Sequence, residues 1–70
     1  MDSFRKYLNE EISKDLSNAK SSYADELEAI GKYTKQIREC KDSSLKRILE
    51  HNLKEEKDHA KELKKWIDAQ

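Results

Sequence analysis

The chain is 70 residues long, about half a common domain, and its fifteen Lys and Arg cancel its fifteen Asp and Glu. Charged residues make up 43% of it, with no Pro, one Gly and one Cys, which excludes a turn-rich all-β fold, an internal disulfide scaffold and a four-cysteine zinc site. Zero net charge argues against general nucleic-acid binding, and no apolar run approaches the ~18 residues that a membrane span needs. The opening Met1-Asp2-Ser3-Phe4 lacks the basic and apolar regions of a signal peptide, and a lone thiol suits a reducing compartment, so a cytoplasmic location is expected.

Phe4, Leu8, Ile12 and Leu16 recur at steps of four, and Ala19, Tyr23, Leu27, Ile30, Thr34 and Ile37 continue at steps of three and four. This is one face of a helix, helix 1, over about residues 3–40. Ser17-Asn18 and Ser21-Ser22 are weak helix formers and leave room for a bend or a late start. The break falls at Lys41-Asp42-Ser43-Ser44, where Asp42 or Ser43 can cap the next helix and Lys41 suits the end of the last. Leu45, Leu49, Leu53, Ala60, Leu63 and Ile67, widened by Ile48 and Trp66, predict helix 2 over about 43–69.

A short loop makes the helices antiparallel neighbours, so residues 1–70 form one all-α, two-helix hairpin. Two helices cannot enclose a core, and one core in ~70 residues rarely yields more than ~3–5 kcal/mol. A metal, a partner or both are expected. Two hairpins related by a two-fold axis would make a four-helix bundle.

Three polar residues occupy positions that the pattern reserves for the core. Glu26 lies three after Tyr23 and four before Ile30, Glu56 three after Leu53 and four before Ala60, and His59 four before Leu63. Glu56 and His59 form a Glu-x-x-His pair on one helix face. Counted from Asp42, Glu26 is 16 residues back and Glu56 and His59 are 14 and 17 forward. At ~1.5 Å per residue their levels agree within a few ångströms. Carboxylates with a neutral imidazole suit iron, manganese or zinc. A Glu from one helix and a Glu-x-x-His from the other is half the ligand set of a di-iron carboxylate bundle, and a two-fold dimer would supply the rest. The bland alternative is a solvated salt-bridge lattice.

The stretch Tyr23-Ala24-Asp25-Glu26-Leu27-Glu28-Ala29-Ile30-Gly31-Lys32-Tyr33, followed by Leu45 to His59 with His51-Asn52-Leu53-Lys54-Glu55-Glu56-Lys57-Asp58-His59-Ala60, resembles the encapsulated ferritins over roughly Tyr23 to Trp66. The resemblance implies a ferritin-like hairpin that dimerises and assembles into a ring. It implies a di-iron ferroxidase centre across the dimer interface, with Glu26, Glu56 and His59 as ligands and Tyr33 close by. Lys32 departs from the pattern, standing where the family can carry an aromatic. The resemblance also implies an encapsulin shell as partner and nanocompartment. The sequence ends at Gln70 without the extension that targets such proteins to the shell, so delivery is expected to need a further segment or another route.

Tyr33, two turns beyond Glu26, is either a core tyrosine or a hydrogen-bond donor to a ligand carboxylate. Asp25 and Glu28 flank Glu26 and could gather Fe(II), or be a solvated face. His51, Glu55, Asp58 and Glu62, with Lys54, Lys57 and Lys61 among them, are expected to form ordinary i,i+4 charge pairs. Cys40 has no second Cys or matched His for nucleophilic chemistry. The leading expectation is a ferroxidase passing electrons from Fe(II) to oxygen or peroxide, with zinc, manganese or calcium able to occupy the same ligands. The alternatives are a metal-free interaction hairpin or coiled-coil adaptor, and a metal-binding module without redox turnover.

Overall fold

The computed structural model describes the backbone of residues 2–70 and the side chains of residues 12–70. It is an antiparallel hairpin of α1 (Asp2–Glu39) and α2 (Ser43–Asp68), 61 Å long and 14 Å across. Phe4 and Leu8 of the leading apolar stripe lie outside the described side chains.

Asp42 supplies the cap of α2. Its backbone is extended, and its carboxylate accepts a hydrogen bond from the Leu45 N–H at 2.8 Å. The Lys46 N–H donates to the Asp42 carbonyl at 2.9 Å, and the Cys40 thiol donates to the same carbonyl at 3.3 Å. Cys40 therefore helps to close the turn. The Lys64 ammonium donates to Asp68 at 2.7 Å, and that hydrogen bond, more than the carboxylate's charge, raises the lysine's pKa.

α1 runs unbroken through Ser17-Asn18 and Ser21-Ser22. All four side chains are exposed, while Leu16 before them, Ala19 between them and Tyr23 after them are half-buried in the seam with α2. The small helix penalty of each polar residue is spread over the solvent face, and packing on the other face outweighs it.

The seam between the helices repeats at steps of three and four. From α1 it takes Leu16, Ala19, Tyr23, Glu26, Ile30, Tyr33 and Ile37, and from α2 Leu49, Leu53, Glu56, Ala60, Leu63 and Ile67. Among the described residues only Ala60 is buried, and no side chain is wholly so. The accessible surface is 6022 Å². A compact monomer of 8.3 kDa would expose ~4,600 Å². Leu27 on α1 and Leu45, Ile48 and Trp66 on α2 are each about half exposed. A Cβ built on Gly31 meets nothing within 4 Å, so the chain's own packing does not require glycine there.

Candidate metal centre

Seam spacing brings Glu26 and Glu56 face to face across the helices. His59, one turn after Glu56, joins them from the rim. His59 Nδ1 lies 3.9 Å from Glu26 Oε2 and 4.0 Å from Glu56 Oε1, and one ligand atom from each of the three lies within 4.8 Å of the others. The side chains of Glu26 and Glu56 are only 22% and 24% exposed, that of His59 53%. The carboxylates are thus sheltered while the imidazole stands at an open edge.

Separations of 3.9–4.0 Å are too long for hydrogen bonds. Glu26 Oε2 is buried and has no hydrogen-bond partner. A carboxylate oxygen without water or a donor is costly unless something compensates it. A cation between the three groups would do so, and oxygen and imidazole donors suit a divalent metal of the iron, manganese or zinc kind. The donor set therefore fits a metal on the evidence of its own orphaned atom.

The remaining expected residues stand apart from this group. Tyr33 is half-buried in the same seam, and no hydrogen bond among the described residues joins it to the three. Asp25 and Glu28 are exposed on the solvent side of α1. Among the charges of α2, His51 Nε2 pairs with Glu55 Oε1 at 2.9 Å and Lys64 with Asp68 at 2.7 Å. Lys54, Lys57 and Lys61 form no ion pair among the described residues, so the expected i,i+4 lattice is absent from the middle of α2.

The edge on which His59 opens is apolar. Ile48 is eleven residues before His59 and Trp66 seven after it, close to three and two whole turns, so all three lie on one side of α2. Two half-buried polar residues, Gln36 and Asn52, also border the seam. The spacing of Asn52, three after Leu49 and four before Glu56, is the signal that could have singled it out.

The sequence model of the EncFtn-like family matches residues 2–70. A "Ferritin-like protein" of Thermotoga maritima is 37% identical over 54 residues, which cover 77% of this chain and 47% of that protein. The chain thus spans about half the length of that relative. No solved structure matches.

Proposed function

The chain belongs to the EncFtn-like family, and from that premise we propose that it is a ferritin-like ferroxidase, taking Fe(II) as substrate at a site completed by a second copy across a two-fold axis. One observation carries the reading. The buried, unpartnered oxygen of Glu26 faces Glu56 and the Nδ1 side of His59, on an edge that nothing among the described residues covers.

Each chain offers two carboxylates and one imidazole. A two-fold mate set against the His59 edge doubles this to four carboxylates and two imidazoles, the ligand complement of a di-iron bundle. The same contact would cover Leu45, Ile48 and Trp66. A standard interface takes ~800 Å² from each partner, and this hairpin exposes more than that in excess of a compact monomer.

In this reading Glu26, with two oxygens, could reach both iron ions, while Glu56 and His59 together would hold one iron per chain. The imidazole must be neutral to offer its lone pair. Two Fe(II) give up one electron each, and one oxygen molecule takes both with two protons to leave hydrogen peroxide and two Fe(III). The sheltered carboxylates favour the more highly charged product ion, which is the electrostatic contribution of the protein. Iron storage or detoxification would follow, with an encapsulin shell as the proposed container for Fe(III). No described helix is long and apolar enough to cross a membrane.

The test combines sedimentation with oxygen consumption. Protein in chelator should sediment as a lighter species than protein given anaerobic Fe(II), and air should then oxidise the iron faster than buffer does. A folded monomer at every metal concentration, with oxidation at the buffer rate, would leave a metal-free interaction hairpin as the better account.

A further inference from the structure

Asn52 is a polar side chain half-buried at the border of the seam, three residues after Leu49 and four before Glu56. It shares a face of α2 with Glu56, one turn nearer the loop. A helical side chain leans back toward the N-terminus of its helix, so the long Glu56 side chain lies over the turn that carries Asn52. The other neighbour on that turn, Leu53, is apolar.

Each of the two groups lacks what the other offers. Neither Glu56 oxygen accepts a hydrogen bond among the described residues, and the His59 Nδ1 stands 4.0 Å away. The Asn52 amide, with two N–H donors, makes no hydrogen bond among them either. An amide drawn half out of water without a partner loses hydration and gains nothing in return.

We propose that Asn52 is the positioning residue of Glu56. Its side-chain N–H donates to the carboxylate oxygen that a bound metal leaves unused, and so holds the carboxylate toward Glu26 and His59. The inference rests on the metal-site reading above. An amide suits this place because it donates without carrying charge. An ammonium one turn from the site would repel the cation, and a further carboxylate would repel Glu56. The rival donor is Tyr33, half-buried across the seam at the same level, nine residues before Asp42 against ten after it for Asn52. Gln36, also half-buried, is out of reach: it lies six residues from Asp42 against fourteen for Glu56, ~12 Å along the hairpin.

The first test is NMR of the isotope-labelled whole chain titrated with Zn(II), a diamagnetic ion, beside a sample in chelator. With three Asn and two Gln in the sequence, the side-chain amide signals are few and are assigned by substitution. The Asn52 amide should shift, and its protons should exchange more slowly with water, in step with the His59 imidazole, while Gln36 stays in place. His59 responding with Asn52 unmoved would overturn this proposal and leave the metal site standing. No response from either would remove both. Asn52 and Gln36 shifting together in chelator as protein concentration rises would make Asn52 an ordinary residue of the seam.

Substitution gives a second readout. Asn52→Leu sets an apolar side chain of similar size at the border of the seam, so it should melt no lower than wild type in chelator. It should nevertheless bind Zn(II) about tenfold more weakly in competition with a chromophoric ligand, since groups that hold a metal's ligands act on affinity at that scale. Asn52→Gln keeps the donor and should recover most of the loss. Weaker binding by Tyr33→Phe, with Asn52→Leu at wild-type affinity, would assign the hydrogen bond to Tyr33 and overturn the proposal.

Discussion

Around Ile30 and Leu53 the seam between the two helices is apolar; one turn further from the loop it carries Glu26 and Glu56. Both levels are half-buried, have the same spacing and sit between the same two helices. At the first, each side chain gains by leaving water, at ~25 cal/mol per Å² of apolar surface. At the second, sheltering two carboxylates opposes packing, and Glu26 Oε2 is left with no partner. On the proposed function, the contrast separates residues that hold the hairpin together from residues kept for what they bind. A change at the carboxylate level should alter metal chemistry more than folding, and a change near the loop should do the reverse.

The largest expected effect breaks the chemistry alone. His59→Ala and Glu56→Ala should reduce aerobic Fe(II) oxidation to the buffer rate while circular dichroism stays helical. Glu50→Ala, an exposed carboxylate outside the group, is the control and should oxidise iron like wild type. Equal rates in all four proteins would return Glu56 and His59 to the ordinary charged surface.

Next in size is the stability of Glu26→Gln, melted in chelator and in anaerobic Fe(II) at mildly alkaline pH, where an imidazole is neutral. In chelator the amide should be as stable as wild type or more so, by up to ~1 kcal/mol, because it removes a sheltered charge facing Glu56. With Fe(II) about a hundred times above its dissociation constant, wild type should gain about 2.7 kcal/mol and the variant far less. A variant that melts much lower in chelator, with both proteins shifted equally by Fe(II), would make Glu26 a structural residue like Ile30.

The hairpin and its three-residue group were legible because both rest on counting. Levels measured from Asp42 place Glu26, Glu56 and His59 together without knowledge of any side-chain angle. The exposure of His59 was not legible. Its spacing to Leu63 assigns it to the seam and its spacing to Trp66 assigns it to the flank, and only the rotation of α2 against α1 decides. The continuity of α1 through Ser17 to Ser22 was likewise a matter of which face those residues occupy.

Near the loop the expected changes are in stability. Asp42→Ala removes the cap that accepts the Leu45 N–H. It should cost ~1 kcal/mol, or ~4–8 °C in melting temperature, at fixed protein concentration. Iron affinity per folded dimer should not change, because the cap lies fourteen residues, roughly 20 Å, from Glu56. A loss of iron affinity larger than the loss of stability predicts would mean that the loop and the carboxylate level are coupled, and the contrast between them would fail.

The smallest change also tests which face meets a second chain. Gly31 lies five residues from Glu26, on the solvent side of α1, with open space where a Cβ would stand. Glycine inside a helix is less favourable than alanine by up to ~1 kcal/mol, through the backbone freedom it surrenders on folding. If the partner sits on the His59 edge of α2, nothing packs against Gly31, and Gly31→Ala should raise the melting temperature in chelator while leaving Fe(II) oxidation unchanged. If instead a second chain lies over Leu27, Gly31 and Thr34, the added methyl would push two helices apart where glycine lets them approach. The variant would then melt higher as a monomer yet assemble less readily and oxidise iron more slowly. Melting and sedimentation of the same samples distinguish the cases, because helix propensity acts on the single chain and steric contact only on the assembly.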